Sequence, residues 1–280
     1  MLVFKQIKKL RQHLDADDQR FLSIGFVPTM GALHEGHLQL MRKAKNENDL
    51  LIVSIFVNPI QFNNPEDLQK YPRTYDEDAQ MLESVGCDVL FYPSVDEMYP
   101  EPEIIHYDFG LLAETMEGSA RPGHFDGVAI VVRKLFDIVK PHRAYFGEKD
   151  FQQLAIIKEL VRRNRIPVNI IPCPIVRERD GLAMSSRNAR LTAKERAVAP
   201  KIYETLQDAV GLFPTNSPAQ MKAWVRDRFQ RVPAFQIDYV EIADDKMLQP
   251  LQDWSSAKGA ILFVAIYLGQ VRLIDNIRIY

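Results

Sequence analysis

His34 and His37 stand three residues apart in PTMGALHEGH (28–37), with Gly36 between them and a short apolar run before them. Two histidines at that spacing suit metal ligation, acid–base work or a grip on an anion. The spacing is not the H-E-x-x-H of zinc hydrolases and no third ligand is obvious, which weakens the metal reading. If a helix starts near His34, both rings share one face beside its N-terminus, where free N–H groups favour anions. Gly36 lets a ligand come close to the backbone. An anion grip fits best, with two plain surface histidines as the ordinary alternative.

Four further segments carry polar groups in purposeful places. Lys149 in YFGEKDFQQL follows Gly147, which permits a sharp turn, and offers a point charge to a phosphate. Ser185, Ser186 and Arg187 in GLAMSSRN join two hydroxyls to a guanidinium. Asn58 and Gln61 in VNPIQF, with Gln153, are neutral amides suited to the hydroxyl and carboxylate groups of a small polar substrate. GSARPGHFDG (118–127) holds Arg121 as a movable cation. Taken singly, each has an ordinary reading as a turn or surface loop. Cys87 and Cys173 read as buried small apolar groups, and the basic VRRNRIPVN (161–169) as the solvated end of a helix.

What gathers these segments is an alternation of strand and helix patterns. FLSIGFV (21–27), LLIVSIFV (50–57), CDVLFY (87–92), RAYF (143–146) and VNIIPC (168–173) are short apolar runs that read as strands. Helical patterns fall at 37–47, 74–85, 125–139 and 151–163, the second opening on a capping box of Thr74 and Glu77. The order predicts an α/β fold, a Rossmann-like doubly wound parallel sheet over residues 1–175. PTMGALHEGH, NPIQF, GEKD and VRERDGLAMSSRN each follow a strand and so meet at the carboxyl edge of one sheet, and that convergence weighs more than any single motif. Beyond it, capping boxes Thr192/Glu195 and Ser217/Gln220 start two helices, and strands follow at 235–243, 260–268 and 271–279. Gly269-Gln270 joins the last two as a tight hairpin. Residues 176–280 therefore read as a smaller C-terminal α+β domain.

Composition narrows the function. The 280 residues are 46% apolar and 26% charged, as in an ordinary globular protein. A formal net charge of −2 gives no broad attraction to nucleic acid or membrane, so an anionic ligand must be held by locally placed cations and N–H groups. The charged start is unlike a signal peptide, and the longest strongly apolar run, AILFVAIYL (260–268), is about half the length a membrane helix needs. Two cysteines make no disulfide framework, and a cytoplasmic setting is expected.

Together PTMGALHEGH, VNPIQF, RPGHFDGV, YFGEKDFQQL and GLAMSSRN, in that order and with the RLIDN ending, resemble the pantothenate synthetase family of pantoate–β-alanine ligases over nearly the whole chain. The first segment matches the H-x-G-H signature of the nucleotidylyltransferase superfamily related to class I aminoacyl-tRNA synthetases. AMSSR takes the place of its K-M-S-K-S loop, lacks the lysines and offers Arg187 instead, the usual form in this family.

The resemblance implies that ATP and pantoate give pantoyl adenylate and pyrophosphate, after which β-alanine displaces AMP to give pantothenate. It implies that Met30, Gly31, His34 and His37 line the ATP site, with Lys149, Met184, Ser185, Ser186 and Arg187 on the triphosphate. Gly147, Asp150 and Val176 stand near the nucleoside. His34, His37, Lys149 and Arg187 are the expected catalytic set. Gln61 and Gln153 are expected at pantoate, Gln61 and Asn58 at β-alanine, and Asp76 and Asp78 at Mg²⁺. A homodimer and a C-terminal domain acting as a lid complete the expectation. A nucleotidylyltransferase loading another acceptor, or a regulatory nucleotide-binding protein, are the alternatives.

Overall fold

Runs rich in Val, Ile, Leu and Phe suit a pleated surface buried on both faces. They form six strands: β1 (Leu2–Phe4), β2 (Ile24–Thr29), β3 (Leu50–Ile55), β4 (Val89–Phe91), β5 (Arg143–Gly147) and β6 (Asn169–Cys173). The structure is a computed structural model and describes residues 1–16, 19, 21–103 and 105–280. The strands lie in the order β1-β4-β3-β2-β5-β6, every neighbouring pair parallel. Leu51, Ile52 and Val53 are each fully buried, as consecutive residues are only when both sheet faces are covered. The strand order reverses between β2 and β5, which makes their carboxyl ends the place where a ligand is expected.

The unit that carries this sheet comprises Met1–Phe109, Ala120–Glu148 and Ile156–Pro174. Its helices include Ile7–Leu14, Glu35–Glu47, Tyr75–Ser84 and His124–Val139. The last is apolar on nearly every face, and twelve of its sixteen residues are buried. β1 and Ile7–Leu14 carry little sequence signal. β1 has three residues on the sheet edge, and the helix after it is mostly polar, burying only Leu10 and Leu14. The capping box expected at Thr74 does not form: its side chain makes no cap bond to the helix.

The second unit comprises Gly110–Ser119, Lys149–Ala155 and Ile175–Tyr280. It holds an antiparallel sheet of β7 (Phe235–Asp244), β8 (Ala260–Leu268) and β9 (Val271–Arg278), in that order. Leu268 pairs with Val271 across the Gly269-Gln270 turn, as the sequence predicts. Both predicted capping boxes are present, at Thr192 and Ser217. Ile202, Leu206, Met221, Val225 and Phe229 from the helices pack with Leu262 and Val264 of β8.

Residues 110–119 and 149–155, which a boundary at residue 175 puts in the first domain, belong to this unit. The Gln152 amide explains why: it donates to the Leu112 and Thr115 carbonyls and accepts from the Glu117 N–H. Glu117 in turn pairs with Arg272 and accepts from the Tyr239 hydroxyl at 2.8 Å. Lys149 and Gln153 therefore belong to the unit of the antiparallel sheet. Among the described residues no helix is long and apolar enough to cross a membrane.

Candidate active site

β2 ends at Thr29, and the chain then turns through two left-handed residues, Gly31 (φ 79°) and Ala32 (φ 50°). Glycine is required at the first: besides its φ, a Cβ there would lie 2.9 Å from Asp78 Oδ2. The turn points successive N–H groups inward, and Asp78 takes both: Ala32 donates at 3.0 Å and Leu33 at 2.7 Å. Burial pushes the Asp78 carboxyl above the usual aspartate range, while these two N–H donors and the Thr74 hydroxyl pull it back.

Beyond the turn, His34 sits in extended backbone as the N-cap of Glu35–Glu47, and its carbonyl accepts from the His37 N–H at 2.8 Å. The two rings lie 4.0 Å apart between centroids, both half-buried. The His34 side chain makes no cap bond to the first turn, whose N–H groups and dipole favour an anion. Met30, Gly31, His34 and His37 thus lie together on the turn and helix start that follow β2.

Behind β3 the amides form a second cluster. Asn58 is 1% exposed; its Nδ2 donates to Gln61 Oε1 and to the Gly127 carbonyl, and its Oδ1 accepts from Tyr99. With its amide committed on both sides, Asn58 fixes Gln61. Gln61 Nε2 reaches the Met30 sulfur at 3.0 Å, so the amide lies beside the histidine loop. The Gln61 carbonyl accepts from His124 Nδ1 at 2.9 Å, which fixes that tautomer and leaves His124 Nε2 to accept from Arg121 at 3.1 Å. His124 and Tyr99 were not foreseen as partners of this cluster. The RPGHFDG segment was the available signal, but only the fold reveals which residue it meets.

The acids expected at Mg²⁺ are separated by their helix. Asp76 and Asp78 are two apart, which sets them on different faces; Asp76 is exposed and Asp78 is 2% exposed. Among the described residues no group of three or more His, Cys, Asp or Glu is placed to hold a metal.

In the second unit, Lys149 lies in the short turn Glu148–Asp150 that follows Gly147, with its Nζ 4.0 Å from Asp150 Oδ2. Gln153, half-buried, is in the first turn of Phe151–Asn164. Residues 176–184 form a small hairpin in which Met184 donates to the Val176 carbonyl at 3.0 Å. Ser185 then caps the turn Ser186–Arg190 by accepting from the Arg187 N–H.

The family model for pantoate-beta-alanine ligase matches residues 2–278. The chain belongs to the pantoate–β-alanine ligase family. A pantothenate synthetase from Bacteroides fragilis is 49% identical over 99% of both chains. A pantothenate synthetase structure from Thermus thermophilus superposes over 100% of both chains with a TM-score of 0.93 and 42% identity. A pantoate-beta-alanine ligase from Francisella tularensis, complexed with beta-gamma ATP and beta-alanine, covers 100% of this chain and 98% of its own at a TM-score of 0.83 and 40% identity. Membership in the pantoate–β-alanine ligase family makes the chain a ligase that forms a C–N bond, built on the Rossmann-like sheet the sequence predicts.

Proposed function

We propose that this chain condenses pantoate with β-alanine in two half-reactions. In the first, a pantoate carboxylate oxygen attacks the α-phosphorus of ATP, and the bond to pyrophosphate breaks. That carboxylate is already ionised near neutral pH, so no general base is needed. Negative charge grows on the α-phosphate and on the leaving pyrophosphate. The catalytic set His34, His37, Lys149 and Arg187 meets it with positioned donors, one of which is typically worth roughly 3–4 kcal/mol. In the second, the β-alanine nitrogen attacks the acyl carbon and AMP leaves. That amine has a pKa of about 10, as for lysine, and sheds its proton before attack.

The observation that carries this reading is the His34–His37 pair, with rings 4.0 Å apart at a helix N-terminus beside the strand-order reversal. Met30 and Gly31 line the nucleotide with the histidines; Gly147, Asp150 and Val176 take the nucleoside, and Met184, Ser185 and Ser186 join Arg187 on the phosphates. Gln61 and Gln153 take pantoate, and Gln61 also serves β-alanine, held from behind by Asn58. The acids do not fit a protein-built magnesium site, since Asp78 spends its oxygens on backbone N–H groups. Mg²⁺ is therefore assigned to the triphosphate itself, through phosphate oxygens and water. We also take the enzyme as a cytoplasmic homodimer, which light scattering tests as twice the chain mass.

Pantoate-dependent exchange between ATP and labelled pyrophosphate, with β-alanine absent, tests the route. Exchange that requires pantoate is expected. Its absence with every small acid, in protein that still binds ATP, would point to a different acceptor or a regulatory role.

A further inference from the structure

The RLIDN ending supplies two buried polar residues, Asp275 at 4% and Asn276 at 7% exposure, adjacent on β9. Neighbouring strand residues face opposite ways, so this pair addresses two different elements from one point of the sheet. Asn276 Nδ2 donates to the Lys149 carbonyl at 3.0 Å. Asp275 accepts both guanidinium nitrogens of Arg177, at 2.6 and 2.9 Å, the two-pronged geometry that fixes orientation as well as charge.

Arg177 belongs to the hairpin that leads into Ser185, Ser186 and Arg187. Its Nη1 also donates to the Gly181 carbonyl at 3.1 Å, and its guanidinium lies 3.6 Å from the centre of the Tyr203 ring. Across the hairpin it pairs with Ala183, immediately before Met184. One β9 dipeptide thus holds the backbone of Lys149 and the base of the serine–arginine loop. Charge links them too. Burial raises the Asp275 carboxyl, while the Arg177 hydrogen bond and charge, the Asn276 N–H and the Lys149 charge oppose the rise.

We propose that Asp275 and Asn276 are positioning residues for triphosphate binding: together they fix Lys149 and the 176–184 hairpin in one register. This rests on the assignment of Lys149 and Ser185–Arg187 to the ATP phosphates. Neither residue touches the nucleotide; each acts through another. Misplacing a group by about 1 Å can cost up to about 100-fold, so loss of the Asn276–Lys149 bond should be plainly measurable.

The test is calorimetric titration of full-length Asn276→Ala with a β,γ-imido ATP analogue and, separately, with pantoate, alongside thermal melts. The expected result is a Kd for the analogue raised about 10-fold, with pantoate affinity unchanged and a melting point within a few degrees of wild type. Asp275→Asn, which keeps the shape and removes the charge, should weaken the analogue further. If it fails to fold, Asn276→Ala still decides. Unchanged analogue affinity in folded Asn276→Ala overturns the proposal, as does an equal loss for analogue and pantoate. Because the readout is binding, pyrophosphate exchange can fail in wild type while this result stands, and the reverse.

Discussion

Two loops carry the proposed phosphate grip, and they are held by different physics. Residues 30–34 turn through left-handed backbone and are fastened by one buried carboxylate, Asp78, on two neutral N–H groups. Residues 176–187 are fastened by ion pairs: Arg177 with buried Asp275, and Arg196 with Glu178 and Asp180 nearer the surface. The first arrangement is tied to backbone shape and tolerates little change at the turn. The second spreads its hold over several charges of unequal burial, so its members should differ widely in importance.

The largest expected effect is at the histidines the first loop presents. His37→Ala should lower pantoate-dependent pyrophosphate exchange by about 100-fold or more, with circular dichroism unchanged. A folded variant with full exchange removes His37 from the mechanism. Next comes the fastening itself. In Asp78→Asn an amide NH₂ must face one of the two backbone N–H groups, leaving a buried donor without an acceptor at about 1–3 kcal/mol. The pH dependence has a definite sign. An acid with a raised folded pKa binds its proton more tightly folded than unfolded, so wild-type stability falls as pH rises from the usual aspartate value to the raised one. Asparagine does not titrate. Urea midpoints on either side of that interval should show the wild-type advantage narrowing as pH rises; a constant gap would mean that Asp78 titrates as an exposed acid.

Five of the six parallel strands were legible because each is a bounded apolar run, β1 being only three residues at the sheet edge, and the loops because their residues are chemically unusual where strands end. His34 and His37 are picked out as candidates by type and spacing, whereas Lys149 taken singly reads as a turn lysine and becomes a candidate only together with the other motifs. What holds them is not legible. Asp78 lies 46 residues from Ala32, and Asn276 lies 127 from Lys149. Nothing local in the sequence says which backbone group each will meet. Thr74 shows another limit: its capping-box pattern is correct in form, yet its side chain makes no cap bond to the helix.

Gly127 offers a milder probe of the first unit. Alanine in place of glycine inside a helix should by itself stabilise by about 0.5–1 kcal/mol. Here its Cβ would lie 2.5 Å from the Ile60 carbonyl oxygen and 2.8 Å from the Gln61 N. Gly127→Ala should therefore push Gln61 aside and raise the KM for pantoate about 10-fold, a shift of roughly 1.4 kcal/mol, with the KM for ATP unchanged. A more stable variant with wild-type KM values would detach Gln61 from pantoate.

The smallest effect tests the unequal hold on the second loop. Arg196 bonds Asp180 at 2.6 Å and Glu178 at 2.5 Å, but its side chain is 31% exposed and theirs 40% and 29%. The Asp275 side chain, on Arg177, is 3% exposed. Water and salt screen the first set, whereas removing one member of the second leaves a buried charge without its partner. Arg196→Ala should cost about 0.2–1 kcal/mol in urea unfolding, with the difference shrinking at high salt. Arg177→Ala should cost about 3–5 kcal/mol, the range for breaking a buried pair. Equal costs would mean that burial does not rank these pairs, and the contrast between the loops would reduce to backbone shape alone.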